Sequence, residues 1–199
     1  MSSIHAALCC LAAWEQIGEL SHLRLDSKNT PYQTALAQFS LAYMLSDTLF
    51  YVLPFTPTDF MFVVHHVISG LYVVGVLYTG LGAISSSIMF FLGEITSPLL
   101  NAITVAGVLR HTSKLFQQTY RYLSPLFSVA FVVTRTLLGV PMVGWFLYTL
   151  VARSPGIPLG WRLPMAACVS TGILGSQLWT AKLLGPLIAE KLAALKKKV

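Results

Sequence analysis

The chain has 199 residues, of which 55% are hydrophobic and only 10% are charged, and its mean hydropathy is +0.71. Soluble domains carry about 25% charged residues, and a globule this small has too much surface to hide so much apolar area. The composition therefore excludes a soluble domain and favours an all-α membrane protein. The net charge of +6 comes mostly from lysines and arginines between apolar runs and at the chain end, which predicts lipid headgroups rather than nucleic acid as partners.

Six apolar segments follow one another, which predicts a polytopic bundle of about six transmembrane helices. Of these segments, the first is short and only weakly apolar, and the fifth is 31 residues long. Gly139, Pro141 and Gly144 interrupt the fifth, which predicts a kinked or tilted helix that stays in one piece. The segments cover residues 4–20, 33–53, 60–81, 83–108, 122–152 and 164–184.

The connectors predict how the segments begin and pair. Thr30 precedes Pro31, and this order is typical of a helix N-cap followed by proline at the first helical position. The link over residues 54–59 is so short that the second and third segments must be antiparallel neighbours.

Six spans place both chain ends on one side of the membrane. That side carries eight basic residues against four on the other, so both termini are expected in the cytosol. The chain ends in KKKV, which matches the dilysine signal of endoplasmic reticulum residents. A basic tail that touches anionic lipid explains the same residues without a sorting receptor.

Several polar and ionisable residues interrupt the apolar segments, where an ionised group costs about 2.5–3.5 kcal/mol and is a candidate for function. They are Asp47, His65, His66, Glu94, Ser97, Asn101 and Arg135.

Counting residues from the segment ends predicts the depth of these groups in the membrane. Asp47 lies seven residues before Pro54 and His65 seven after Thr58, in the link between the second and third segments, so both are about 10 Å deep at a helical rise of 1.5 Å. Asn101 lies at the same level, and Glu94 is two turns deeper on the same helical face. Arg135 is near Glu94 in depth. The groups are therefore expected to line one interior pocket that opens toward the cytosol.

The two adjacent histidines do not match a metal site. Neighbouring helical residues point about 100° apart, and the spacings of zinc sites and of membrane di-iron histidine boxes are missing. One histidine can instead face the pocket as a base or nucleophile, while Asp47 orients it. Alternatively, the polar groups are hydrogen-bonding contacts between helices, and Glu94 with Arg135 is a buried ion pair that locks the bundle.

Four stretches in a characteristic order resemble the TLC-domain membrane proteins, the family that includes the ceramide synthases. They are SDTLFYV, FVVHHVISG, GEITSPLLN and FVVTRTLLGVP, and the resemblance covers residues 33–185. It implies a single domain over residues 1–199, with 186–199 as a basic cytosolic tail, a lipid-accessible cavity and an endoplasmic reticulum or related membrane. In the synthases the paired histidines are required for N-acylation of a long-chain base, and they match His65 and His66, with Asp47 as the acidic partner.

The fourth segment departs from the synthases, which carry a His-Asp pair where this chain reads FFLGEITSPLLN. It looks more like the smaller non-synthase members, which implies a protein that binds lipid or acyl chains and contributes to lipid homeostasis. The alternative is an N-acyltransferase that uses acyl-CoA as a substrate, with no other cofactor and no metal. A transporter is disfavoured, because the chain has no repeats and no paired broken helices. In either function the residues expected to hold the polar head are Glu94, Ser97, Asn101 and Arg135.

Overall fold

A computed structural model describes residues 2–16, 24–53 and 60–196 of the chain. Within these ranges the regular structure is helical, and no strand is present. A π-helical segment, Val133–Leu138, joins the sixth helix to the seventh. The α-helices are α1 Ser2–Gln16, α2 Pro31–Val52, α3 Phe60–Thr79, α4 Ala83–Glu94, α5 Ser97–Leu109, α6 Lys114–Val132, α7 Gly139–Arg153 and α8 Leu159–Lys196.

The described helices group into six units, which correspond to the six predicted segments. A two-residue turn joins α4 to α5, and α6, the π-helical segment and α7 form another continuous unit. Three units are long and apolar enough to cross a membrane: they contain Phe62–Thr79, Ala83–Leu109 and Lys114–Arg153. The prediction of an all-α membrane bundle is confirmed.

The outer surface of the bundle suits a hydrocarbon solvent. Large apolar side chains are exposed on all six units. Their exposure to water would be unfavourable, whereas contact with lipid tails is not. Examples are Leu11, Phe50, Val67, Val108, Leu137 and Leu174.

The start of α2 confirms the predicted cap. Thr30 is the N-cap and Pro31 the first helical residue, and the Gln33 amide donates to Thr30 Oγ1 at 3.2 Å. The Thr30 amide donates in turn to Gln33 Oε1 at 3.1 Å, which completes a capping box. This reciprocal bonding fixes where the chain enters the second unit.

Three connections meet at one end of the bundle, as alternating spans require. Asn29 Nδ2 donates to the Val76 carbonyl at 3.0 Å, and its Oδ1 accepts from the Ala83 amide at 2.8 Å. The Gly156 amide donates to Asp26 Oδ2 at 3.1 Å. The connections over residues 24–30, 80–82 and 154–158 are thereby tied together. The short link over residues 54–59, on which the pairing of α2 with α3 was predicted, lies outside the described residues, but α2 does pack against α3.

The fifth unit is one continuous element, as predicted, but its irregular part lies earlier than Gly139. The helix begins at Lys114, where Ser113 Oγ accepts from the Leu115 amide at 3.1 Å. The π-helical segment ends three residues before Pro141, which has no amide hydrogen and crowds the preceding turn.

The last unit is longer than its sequence segment at both ends. It begins at Leu159, because the amides of Trp161 and Arg162 both donate to the Pro158 carbonyl, at 2.9 and 3.0 Å. It continues to Lys196, so most of the predicted tail over residues 186–199 is helical. The last three residues of the KKKV motif lie outside the described residues.

Candidate functional site

A cavity of about 110 Å³, open to the outside, lies between five of the six units. Its walls come from α2, α3, α4, α8 and the unit that contains the π-helical segment. Most of the wall is apolar, contributed by residues such as Met44, Ile68, Phe90, Val143 and Ile173. Its lining also includes a histidine, a glutamate and an arginine: His65, Glu94 and Arg135.

The adjacent histidines have different surroundings. His65 lies on the cavity wall, and its side chain is accessible because the cavity is open. His66 is nearly buried, and its Nε2 lies 3.2 Å from Asp47 Oδ2. The two side chains point in different directions, as the 100° step along a helix requires. Asp47 contacts His66, however, and not the histidine on the cavity wall that it was expected to orient.

The hydrogen bonds of His66 place a proton on its Nδ1. Its Nδ1 lies 2.8 Å from the Phe62 carbonyl, which only accepts, so Nδ1 carries a proton. Its Nε2 faces the Asp47 carboxyl group, so a hydrogen bond there needs a second proton on either partner. Tyr43 also donates its hydroxyl to Asp47 Oδ2, at 3.4 Å. Both nitrogens of His66 are thus engaged, and His65 is the histidine available to a ligand.

His5 on α1 is a polar residue that the sequence reasoning missed. It is fully buried, and its Nδ1 lies 3.5 Å from Glu94 Oε1. Its Nε2 lies 3.1 Å from Ser40 Oγ, and its ring stacks on Tyr43 with centroids 4.0 Å apart. The same signal that marks Glu94, an ionisable residue inside an apolar run, also marks His5. The segment that contains His5, however, is short and only weakly apolar.

The side chains around His5 are arranged in the order of a catalytic triad, but they are buried rather than open to a substrate. Ser40 and Cys9 both lie within hydrogen-bond reach of His5 Nε2, and Glu94 lies near the other nitrogen. Nucleophile, imidazole and carboxylate in this order can activate a hydroxyl or a thiol. Ser40 and Cys9 are both 0% exposed, however, and neither is among the residues that line the cavity. The cluster therefore joins α1 to α2 and α4, and in the described structure its nucleophiles are buried away from the cavity.

Glu94 and Arg135 both line the cavity, yet they do not form the ion pair considered from the sequence. Among the described residues, the ion-pair partner of Glu94 is His5. Arg135 donates from its guanidinium to the Gly93 carbonyl, and its charged group lies 5.4 Å from the centre of the Phe131 ring. Its Nε is buried and has no hydrogen-bond partner in the described part of the chain.

Asn101 and Ser97 do not line the cavity in the described structure, and this corrects the expectation that all the polar groups share one pocket. Asn101 Nδ2 donates to Ser3 Oγ on α1 at 2.8 Å. The helix is interrupted by a turn after Glu94, just before Pro98, so the 100° step between residues does not carry across the turn. Ser97 is a close neighbour of the Glu94 carboxylate, behind the cavity wall.

The side chains of the site do not assemble a metal centre. The rings of His65 and His66 lie 5.7 Å apart with their planes at 77°. Within the described ranges, no group of three His, Cys, Asp or Glu residues is arranged to hold a metal ion.

Comparison with known proteins matches this architecture to one family. The family model for the TLC domain matches residues 1–184. A TLC domain-containing protein of Arabidopsis thaliana is 31% identical over 202 residues, which cover 97% of this chain and 78% of that protein. No solved structure matches the chain. The chain belongs to the TLC-domain family of membrane proteins.

Proposed function

We propose that this TLC-domain protein binds a lipid or an acyl chain in its intramembrane cavity and thereby contributes to lipid homeostasis. The observation that carries the proposal is the cavity itself, which combines apolar walls with the polar groups of His65, Glu94 and Arg135. An amphiphile divides in the same way, since its chain needs apolar contact and its head needs hydrogen-bond partners.

The size and openness of the cavity suggest how such a ligand would lie. A volume of about 110 Å³ is too small for a whole lipid, because pockets that enclose a drug-sized ligand measure about 300–1,000 Å³. It suits a polar head or the end of a chain. The rest of the ligand would continue through the opening along the exposed apolar faces of the helices.

The proposed setting is the endoplasmic reticulum membrane, with both chain ends in the cytosol. It is supported by the basic residues concentrated on the side of the predicted termini and by the KKKV ending. The proposed partners are membrane lipids, and an acyl-CoA is a possible donor of the bound chain.

Filling the cavity tests the proposal. Gly172 lines the cavity on α8, and a Cβ atom added there meets no atom within 4 Å. Gly172→Phe should therefore occupy the ligand space while leaving the backbone in place. Gly144→Phe is the matched control, because Gly144 also has open space around it but does not line the cavity. Both variants would be purified in mild detergent, and the lipid bound per protein would be measured by native mass spectrometry.

We expect Gly172→Phe to lose most of the co-purified lipid and Gly144→Phe to keep the wild-type amount. Equal lipid in the two variants, with matching unfolding temperatures, would mean that the lipid sits only on the outer surface. That result would contradict binding in the cavity.

A further inference from the structure

We infer that the cavity selects an amphiphile with an anionic head, a carboxylate or a phosphate, and that the Arg135 guanidinium binds this head. The inference rests on the proposed function, because it names the ligand class of the same cavity. It begins from the state of Arg135, a charged side chain that lines the cavity from the π-helical segment.

Within the described residues, Arg135 lacks an acidic partner. Its guanidinium donates to a neutral acceptor, the Gly93 carbonyl, and lies over the Phe131 ring. Its buried Nε donates to no described group. A guanidinium has five N–H donors and keeps its charge in proteins. A charge held among membrane helices is costly unless an anion or a set of acceptors compensates it. The cavity beside Arg135 is the space in which such an anion fits.

The neighbouring acid, Glu94, attracts the guanidinium but forms no ion pair with it. Glu94 follows Gly93 in the chain and also faces the cavity, but its ion-pair contact is with His5 on α1. Glu94 would repel an anion, but its carboxylate lies 3.5 Å from the imidazole of His5 on α1. The cavity is therefore lined by a carboxylate that pairs with His5 and by a guanidinium that has no ion-pair partner among the described residues.

One glutamine of α8, Gln177, holds the backbone that carries Arg135. The Gln177 side chain donates to the Arg135 carbonyl at 3.0 Å, and Gln177 Oε1 accepts from the Thr136 hydroxyl at 2.9 Å. These contacts tie the π-helical segment to α8, which forms another wall of the cavity. The backbone that carries Arg135 is thus fixed, while the outer part of the guanidinium keeps donors available. A planar guanidinium binds carboxylates and phosphates through two parallel hydrogen bonds.

The test uses the full chain in a neutral detergent and three probes with the same 16-carbon chain. Palmitate supplies a carboxylate, a lysophosphatidic acid supplies a phosphate, and hexadecanol supplies an uncharged head. The variants are Arg135→Gln, Arg135→Lys and Arg153→Gln. Arg153 is the matched control, because it is an exposed arginine at the end of the same helical unit and does not line the cavity.

We expect the wild type to bind at least one anionic probe about tenfold or more tightly than hexadecanol, since a bond to a charged group is about that strong. Arg135→Gln should remove this preference and leave hexadecanol binding within twofold of wild type. Arg135→Lys should retain part of the preference, and Arg153→Gln should retain all of it. The anionic probe that binds more tightly identifies the head as a carboxylate or a phosphate.

The outcomes separate this inference from the function on which it rests. If the wild type binds hexadecanol as tightly as both anionic probes, the assignment to Arg135 is wrong while lipid binding stands. An unchanged preference in a folded Arg135→Gln variant also overturns it. If no probe binds, the proposed function fails as well. Should Arg135→Gln not fold, the preference of the wild type and the behaviour of Arg135→Lys still decide the question.

Discussion

At the residue scale, His65 and His66 show how one peptide step separates two roles on a membrane helix. Adjacent helical side chains point about 100° apart, so only one of them can face the cavity. His66 turns to α2, where Asp47 lies 3.2 Å from its Nε2, and the Phe62 carbonyl accepts from its Nδ1. His65 remains on the cavity wall. His66 therefore fixes how α3 packs on α2, and His65 is left for a ligand.

Removing either partner of the pair between His66 and Asp47 should destabilise the bundle. His66→Ala leaves the Asp47 carboxyl without its imidazole in a partly buried place, at an expected cost of about 1–3 kcal/mol. Asp47→Ala should cost a similar amount, and the double variant should cost less than the sum of the two. Unfolding in detergent, followed by intrinsic fluorescence, would measure all three. Strictly additive losses would show that the two side chains do not interact.

His5 and His65 should respond in opposite ways to truncation. His5 is fully buried against Ser40, Glu94 and Tyr43, so His5→Ala leaves unsatisfied groups and a void, and should lower stability by about 2 kcal/mol or more. His65→Ala should change stability by less than about 0.5 kcal/mol and weaken ligand binding instead. Unfolding temperature and bound lipid, measured on the same samples, separate the two effects. A large loss of stability in His65→Ala would contradict its assignment to the cavity.

From the sequence, the depth of a polar residue in the membrane was easier to predict than the direction in which its side chain points. Asp47 was expected level with the histidines because both positions are counted from the same short link, and the contact with His66 agrees with that count. Asn101 was expected two helical turns from Glu94 on the same face, because the two are seven residues apart, but a break in the helix at residues 95–96 separates them. His5 was missed because no neighbouring motif marked it, and only the packing of α1 on α4 brings it to Glu94.

At the scale of elements, the unit of α6 and α7 combines a proline, a glycine and π-helical turns. A Cβ atom at Gly139 would lie 2.9 Å from the Thr134 carbonyl and 3.4 Å from Ile173 Cδ1 on α8. The wide turn thus brings backbone close to Gly139, one turn away from Arg135. The π-helical segment thus lies next to the point where the chain approaches α8 closely, and it also carries Arg135, whose guanidinium lines the cavity.

Gly139→Ala should therefore destabilise the protein, although alanine favours ordinary helix. The added methyl must displace backbone rather than a flexible side-chain end, at an expected cost of about 1–3 kcal/mol. Gly144→Ala, five residues on in the same helix, meets nothing within 4 Å and should be neutral or stabilising by up to about 1 kcal/mol. Thermal unfolding of the two variants gives the comparison. Stabilisation by both substitutions would show that the π-helical backbone shifts at little cost in free energy to accept the added methyl group.

Local signals in the sequence were enough to predict some elements and not others. The cap at Thr30 and Pro31 was predictable because it depends on residues within one turn. The π-helical segment was not, because glycine and proline indicate an interruption without specifying its form. Its place before Pro141 depends on packing against α8, which no local pattern contains.

At the scale of the whole molecule, three connections hold one end of the bundle, and one of them carries a charge. Arg24 donates to both carboxylate oxygens of Asp26, at 2.9 and 3.0 Å, and Asp26 also accepts from the Gly156 amide. The hydrogen bonds from Arg24 hold the pKa of Asp26 below its ordinary value of 3.8. The ionised form of this side chain is therefore the one that ties the connection over residues 24–30 to the start of α8.

The contribution of Asp26 should disappear in acid. Because the folded-state pKa is lowered, the stabilisation is complete above the ordinary value of 3.8 and declines as the pH falls from there through the folded-state pKa. Asp26→Asn should thus have a lower unfolding temperature than the wild type at pH 7, and the difference should shrink as the pH approaches 3. Unfolding scans of both proteins across this range provide the measurement. A difference that stays constant with pH would show that the charge of Asp26 does not contribute.

The meeting of the three connections also predicts the outcome of a labelling experiment. If residues 24–30 and 154–158 share one end of the bundle, single cysteines at Ser27 and Arg153 must be reached from the same side of the membrane, and one at His111 from the other. The distribution of basic residues predicts that His111 faces the cytosol. In cells whose plasma membrane alone is permeabilised, an impermeant maleimide should label His111→Cys and leave Ser27→Cys and Arg153→Cys unlabelled until all membranes are opened. The wild type, which has three cysteines of its own, gives the background. The reverse pattern would overturn the orientation while keeping the fold, and different sides for Ser27 and Arg153 would contradict the fold itself.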